Sequence, residues 1–432
     1  MGNYWRPFNP ANSEMNLTIS KGEGVYLYDN FGRKYIDAFS GLWNVNFGYS
    51  DPEIKEAIKV QVDELPFVNP ITLNNKNAIE LSSILCSITH DDISKVVYTC
   101  SGSESIEAAI KISRKYSKFK CRENYHIAVI EGSYHGNYYG SMAASNYDEQ
   151  EKYGYGPMLD GFLKLPMPFC RCCKTDKMSR GCIDKILHKL DNVLEENKDK
   201  LCAVIVEPII ASGGIIPLFE EYITRISDFC KRNDILFICD EVATGFGRTG
   251  SLFCFQHHNL KPDLIALSKG INNGYLPLGA LCITKKVENE FIKNKEILFH
   301  FSTQNANPIC LSAALATLKK MESNHFLSDI NEKSEYLKSK LNCELNKIEM
   351  VFEIRIYGLM IAIDLIDPST SKPITKEKLF GVISKLYELG CLAGISFSEN
   401  ITSSILLFPQ FISSNENLIE IVTKLKLAIV ED

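Results

Sequence analysis

The chain has 432 residues, with 47 Lys and Arg against 53 Asp and Glu, a net charge of −6. That balance excludes a basic nucleic-acid footprint, and 45% hydrophobic residues exclude wholesale disorder. No apolar run reaches the roughly 18 residues of a membrane span, and 15 cysteines without a secretory leader read as the reduced thiols of a cytoplasmic protein.

The start, Met1-Gly2-Asn3-Tyr4-Trp5-Arg6, lacks an apolar leader core and has Arg6 where a myristoylation signal needs Ser or Thr. Val25–Tyr28 and Lys34–Asp37 flank the turn Asp29-Asn30-Phe31-Gly32 and read as a hairpin. Asp51-Pro52-Glu53 reads as an N-cap with proline at the first helical position, and Ile54, Ile58 and Leu65 give part of that helix its apolar face. From residue 95 onward, short β-branched runs recur: Lys95–Thr99, His126–Ile130, Cys202–Val206, Ile235–Cys239, Leu264–Leu267 and Ala280–Thr284. Runs apolar on both faces predict buried, mostly parallel strands, and helices such as Ser105–Tyr116 and Glu221–Lys231 complete βα units. Beyond residue 320 come a helical stretch, the strand Leu359–Leu365 and the helices Lys376–Leu389 and Glu416–Val430. The expected architecture is α/β: a large domain over 61–320 with a mostly parallel central sheet, and a small α+β domain built from 321–432 with a contribution from 1–60.

Ligands of open α/β sheets sit beyond the carboxyl ends of the strands. After the successive runs come Ser101-Gly102-Ser103-Glu104, Ser133-Tyr134-His135-Gly136, Glu207-Pro208, Asp240-Glu241-Val242 and Ser268-Lys269-Gly270. The first opens a helix and offers backbone N–H groups to a phosphate; alone it is an ordinary serine cap. Together, a phosphate cup, an aromatic plate, two acids and a lysine match the needs of pyridoxal phosphate (PLP). That cofactor requires a phosphate site, a lysine for its aldehyde and a carboxylate for its pyridine nitrogen, here Lys269 and Asp240. Gly245–Gly250 spells the dinucleotide fingerprint G-x-G-x-x-G. Five residues separate it from the strand end, and no close-packed helix follows in Ser251–His258. Asp240-Glu241 as a nucleotide-hydrolase acid pair lacks the accompanying G-x-x-x-x-G-K-[ST] loop.

The run Asp240–Gly250, with Pro262-Asp263 and Ser268-Lys269-Gly270, resembles the signature of class III aminotransferases, fold-type-I PLP enzymes that include ω-amino acid and ω-amine transaminases. Ser101–Glu104 is similar to that family's phosphate loop, Tyr134-His135-Gly136 to its stacking segment, and Asp37–Gly48, with Trp43, to its N-terminal stretch. The resemblance implies that Lys269 binds the cofactor's aldehyde and shuttles the proton, that Asp240 pairs with the pyridinium, and that Val242 and Tyr134 sandwich the ring. It implies that Gly102 and Ser103 bind the phosphate, joined by Thr303 of a neighbouring subunit, because His300–Pro308 resembles the family's H-G-x-T-x-x-x-N-P segment. Glu207 then lies near the cofactor's oxygen side, Trp43 at the substrate, and the enzyme is an obligate homodimer. The implied activity moves an amino group from an ω-amino acid or primary amine to pyruvate or 2-oxoglutarate by a ping-pong cycle. An aminomutase, racemase or decarboxylase shares the same residues, and an idle PLP-fold binding protein is the alternative that intact Asp240 and Lys269 weigh against.

Departures from the pattern bear on substrate. Ala243 stands where many relatives have Gln, in keeping with the amine- and pyruvate-using branch, and Phe301 and Gln304 replace a glycine and an aromatic around Thr303. Many relatives place a carboxylate-binding arginine before Pro-Pro-Leu; here the segment is Phe408-Pro409-Gln410-Phe411, with no Arg or Lys between Lys385 and Lys424. Either a cation enters from elsewhere, or one half-reaction uses an unusual partner. Cys170-Arg171-Cys172-Cys173, with Cys182 nine residues later, has the look of a zinc knuckle in which Cys170 and Cys173 give the C-x-x-C spacing and His188 is a fourth ligand, but no second C-x-x-C follows. The expectation there is a surface excursion without metal. His257-His258 reads as a packed or solvated pair, and Tyr4 and Trp5 as residues that reach the active-site mouth or anchor the chain end.

Overall fold

The structure, a computed structural model, describes residues 3–13, 17–398 and 401–430; Met1 and Gly2 of the chain start lie outside the described residues. Its centre is a seven-stranded sheet in the order Ile93–Thr99, Gly279–Thr284, Leu264–Leu267, Leu236–Asp240, Leu201–Val206, His126–Ile130, Phe162–Leu165. Only Gly279–Thr284 runs against its two neighbours. Leu201–Val206, Leu236–Asp240 and Leu264–Leu267 are buried at every position, as strands covered on both faces must be. The alternation is visible in single strands: Ile127 and Val129 pack with Ile106, Ile110 and Tyr116 of the helix Gly102–Phe119, whereas Ala128 and Ile130 face the opposite cluster with Leu187 and Ile223.

The predicted runs fall within two residues of the observed strands, and the hairpin forms as Tyr26–Asp29 and Lys34–Asp37 around Gly32. Sequence pattern misses the edge strand Phe162–Leu165, four residues with an exposed Lys164 and no full apolar run. The hairpin belongs to a four-stranded sheet closed by Cys391–Leu392, parallel to Lys34–Asp37, so both ends of the chain meet there. Residues 351–407 add an antiparallel sheet of Val351–Tyr357, Met360–Asp367, Thr402–Leu407 and Gly394–Ser398. Among the described residues no helix is long and apolar enough to cross a membrane.

The glycine-rich run Gly245–Gly250 is a clamp. Arg248, fully buried, donates to the carbonyls of Leu359 (3.3 Å) and Pro409 (2.7 Å), to Ser40 Oγ (3.3 Å) and to Asn46 Oδ1. Its guanidinium lies 4.6 Å from the Phe411 ring centroid. One side chain thus ties the N-terminal segment and both flanks of the C-terminal sheet to the central sheet. No carboxylate bonds it, and burial pushes its pKa down to about 9. Gly358 makes the close approach possible: its φ is +58°, and an added Cβ would stand 2.5 Å from the Arg248 carbonyl oxygen. Arg248→Ala is expected to cost about 3 kcal/mol or more in denaturant unfolding, because it strands buried acceptors from distant segments. Arg248→Lys should restore only part of that, since an ammonium cannot reproduce the planar fork.

Candidate active site

Where the central strands end, their last residues line one cavity of about 550 Å³. Lys269 follows Leu264–Leu267 and starts a short 3-10 turn with φ +41°, a backbone conformation that costs a side-chain-bearing residue of order 1–3 kcal/mol. The residue is half-buried in the cavity wall. Desolvation lowers its pKa below the ordinary range, with Asp240 and Glu207 opposing the shift. Lys269 Nζ lies 4.5 Å from the Trp43 ring centroid.

Asp240 ends its strand, and its carboxylate is fixed twice: Oδ2 is 2.8 Å from His135 Nδ1, and Oδ1 accepts from the Val242 N–H at 3.1 Å. His135 is itself held through its backbone N–H, which donates to Ser145 Oγ at 2.8 Å. Its Nε2 has no partner among the described residues. Glu207 accepts from the Tyr134 N–H at 2.9 Å and the Ala211 N–H at 3.2 Å. Burial pushes its carboxyl up to about 7, His135 pulling it down and Asp240 adding to the rise. The sequence pair Asp240-Glu241 divides its work. Glu241 turns away from the cavity and accepts from the Cys254 and Phe255 N–H groups (3.0 and 2.7 Å) and from Thr244 Oγ1 (2.6 Å), capping the turn Cys254–His258. Burial pushes this second carboxyl up to about 7 as well.

Gly102 and Ser103 form the first turn of the helix Gly102–Phe119, which Ser101 caps by accepting from the Glu104 N–H at 3.2 Å. The glycines are needed for close approach. A Cβ on Gly102 would stand 2.8 Å from Val242 Cγ1, and one on Gly136, at φ +130°, would stand 2.4 Å from Ser103 Oγ. Tyr134, Val242, Ala243 and Trp43 complete the near walls. Trp43 is stacked on Phe408 at 4.7 Å and meets Phe39 edge-on at 5.8 Å.

All the predicted site residues except Thr303 therefore converge on this cavity. Thr303 is exposed in a turn outside it. Phe8, Tyr147, Glu151 and Ile395 also line the cavity without having been singled out by sequence, since each arrives from a segment with no motif of its own. Phe8 is shared with an adjoining cavity of about 720 Å³ lined by Trp5 and Arg6; Tyr4 and Trp5 are both exposed and neither lines the first cavity. Neither Phe408 nor Gln410 enters the cavity, and Lys269 is the only cationic side chain among its described lining residues, against Glu151, Glu207 and Asp240. The residues present fit PLP. A desolvated amine, a carboxylate oriented by a histidine, and a helix N-terminus opened by a glycine with no room for a Cβ supply the three functions that the cofactor requires.

A family model described as aminotransferase class-III matches residues 8–429. The adenosylmethionine-8-amino-7-oxononanoate aminotransferase of Methanocaldococcus jannaschii is 34% identical, covering 99% of this chain and 96% of its own. A Bacillus anthracis aminotransferase structure superposes with a TM-score of 0.93 at 29% identity, covering 99% of this chain and 96% of that one. An amine transaminase from an uncultivated Pseudomonas species, solved with PLP bound, gives a TM-score of 0.90 at 26% identity over 100% and 99% of the two chains. The architecture is that of fold-type-I PLP transaminases.

The raised carboxyls carry a sign that can be checked. Between the ordinary carboxylate range and about 7, folded Glu241 keeps a proton that the unfolded chain has released, so stability falls as pH rises through that window and levels off above it. Its share is at most about 3 kcal/mol. Urea unfolding of cofactor-free protein between about pH 5 and about pH 8 should show this fall, with a shallower slope in Glu241→Gln. An unchanged slope in that variant would place the proton uptake on other groups.

Proposed function

We infer that this chain, which belongs to the class III aminotransferase family, takes its amino group from a primary amine or ω-amino acid and passes it to a 2-oxo acid in two half-reactions on one site. Small-molecule amine donors and oxo acceptors, the partners that aminotransferases use, are its reaction partners. When bound, the cofactor supplies an aldehyde that takes up the amine and a ring that accepts electrons from the bond broken at the donor carbon.

The chain's own residues do the rest. The Lys269 amine, kept below its ordinary pKa by burial, has a larger neutral fraction near pH 7 with which to take a proton from the donor carbon and return it. Asp240, oriented by His135 and the Val242 N–H, keeps the proton on the ring nitrogen. The backbone at Gly102 and Ser103 would receive the phosphate, and Tyr134 and Val242 would hold the ring. Glu207 would stand beside the cofactor, and Trp43 and Ala243 would exclude water from the donor. Thr303 completes the phosphate site of a second copy, which makes the enzyme a homodimer, and its compartment is the cytoplasm. Residues 61–320 carry the cofactor, and 1–60 with 321–432 form the small domain.

The observation that supports the donor class is the lining of the cavity: apolar walls with Asp240, Glu207 and Glu151 among them, and no guanidinium among the described lining residues. Such a site favours a cationic donor and offers no bidentate clamp for a donor's α-carboxylate. It also ranks pyruvate, with one carboxylate, ahead of 2-oxoglutarate, with two.

The test is the absorption spectrum of the PLP-loaded enzyme through both half-reactions. A yellow band that primary amines bleach, at kcat/KM at least ~10-fold above α-amino acids, and that pyruvate restores would support the reading. Lys269→Ala should lower turnover by at least about 100-fold. Bleaching by adenosylmethionine alone, with recovery on 8-amino-7-oxononanoate, would instead assign the activity named for the Methanocaldococcus relative. Turnover of an amino acid with no added oxo acid would point to a racemase or mutase.

A further inference from the structure

The loop joining the strand Phe162–Leu165 to the helix Arg180–Asn197 carries thiols for which transamination has no use. Its fold brings the sulfurs of Cys170, Cys172, Cys173 and Cys182 within 4.8 Å of one another. The Cys172–Cys182, Cys172–Cys173 and Cys173–Cys182 separations are 3.4, 3.7 and 3.8 Å. A tetrahedral zinc ion with Zn–S bonds of about 2.3 Å sets sulfur–sulfur edges near ~3.8 Å. The Cys170–Cys172 pair, at 2.6 Å, is tighter than such an edge and still longer than the ~2.05 Å of a disulfide.

Three further features agree with an ion at the centre. Four thiolates around a divalent cation carry a net charge of −2, and the segment from Cys170 to Lys185 is basic, with Arg171, Lys174, Lys177, Arg180 and Lys185 against Asp176 and Asp184, although Arg180 also pairs with Asp184 and Glu221. Cys182 occupies the first turn of the helix Arg180–Asn197, capped by Ser179, where the helix dipole favours a thiolate. The backbone turn that places Cys170 beside Cys173 is closed by a Cys173 N–H to Cys170 carbonyl bond of 3.1 Å. His188 stays out of the cluster, its Nδ1 within 3.2 Å of Asn192 Nδ2; the sequence reading that counted it as a ligand is corrected to Cys172.

We propose that Cys170, Cys172, Cys173 and Cys182 bind one structural zinc ion, releasing their thiol protons as the four Zn–S bonds form. All four coordination positions are filled by protein, so the ion has no open site for chemistry. Its role is to fix the loop against the C-terminal sheet. Arg171 donates to the Ile401 carbonyl at 2.9 Å, and Thr175 Oγ1 donates to Glu353 Oε2 at 2.8 Å. Glu353 in turn holds Arg355 at 2.7 Å, whose Nε donates to the Gly214 carbonyl at 2.9 Å, two residues beyond Ser212 in the cavity wall. On this proposal the loop is a staple between two sheets, where sequence alone gives a surface excursion without metal.

The experiment measures metal in PLP-loaded protein purified under reducing conditions, incubated with zinc and passed over a chelating resin. About one zinc per chain is expected, falling at least ~10-fold in Cys172→Ser and in Cys182→Ser. Cys121→Ser, an exposed thiol elsewhere, should keep the wild-type content. Cobalt loaded in place of zinc should give thiolate charge-transfer bands and the intense visible bands of a tetrahedral site. These bands should persist with an altered spectrum in Cys182→His, which retains a ligand if the serine variants do not fold. Wild-type protein that leaves the resin without zinc, with its thiols freely titratable or paired as disulfides, would overturn the proposal. So would full zinc content in both serine variants.

Discussion

A lysine amine that shares a cavity with two carboxylates, at the point where three parallel strands end, is the constraint around which the rest of the molecule is arranged. Burial disfavours the ammonium, while Asp240 and Glu207 favour it, and the balance leaves the amine below its ordinary pKa. That balance holds only if the acids cannot turn away. His135 and the Val242 N–H pin one of them, and the Tyr134 and Ala211 N–H groups pin the other. The wall over the amine is Trp43, which rests on Phe408, and the segments carrying both residues are tied by Arg248 to the glycine-rich turn after the Asp240 strand. A mechanical path therefore runs from the sheet through a buried guanidinium to the indole facing Lys269.

The same chemistry explains why adjacent acids have different fates. Asp240 and Glu241 leave the strand on opposite sides, as the pleat requires. One faces a cavity and a histidine; the other receives two backbone N–H groups at the start of a turn and a threonine hydroxyl. Three accepted hydrogen bonds do not outweigh full burial, so the Glu241 carboxyl is pushed up to about 7. A sequence motif that looks like a pair of functional acids is one functional candidate and one buried structural carboxyl.

Much of this was legible in the chain because the signals are local. An apolar run followed by Ser-Gly-Ser, Glu-Pro, Asp-Glu or Ser-Lys states both the strand and what stands at its end. Strand order was not legible, since hydrophobic runs alone do not say which neighbours pair, nor that Gly279–Thr284 runs antiparallel. Phe8, Glu151 and Ile395 reach the cavity by tertiary folding of segments without periodic or motif character. The grouping of the cysteine loop was hard to read for a related reason. C-x-x-C spacing drew attention to Cys170 and Cys173 and away from Cys172, whereas the fold decides which sulfurs meet, and it places His188 further along the helix, on Asn192.

The segment Phe408–Phe411 shows how a departure from family pattern becomes a property of the site. Phe408 lies flat beneath Trp43, and Gln410 is buried with its amide 3.4 Å from Asp37 Oδ2, a carboxylate that also accepts from Tyr49 Oη and the Gly41 N–H. Both side chains are occupied in supporting the N-terminal stretch that carries Trp43, so neither projects a positive charge toward substrate. The cavity keeps the sign set by its acids, and Glu151, from a turn far in sequence from the strand ends, adds to it. A lining without a guanidinium gives a carboxylate no bidentate partner, while burial holds Glu151 and Glu207 above the ordinary carboxylate range. What surrounds Lys269 and Asp240, rather than those two residues themselves, is therefore where this site can differ from others of the same architecture.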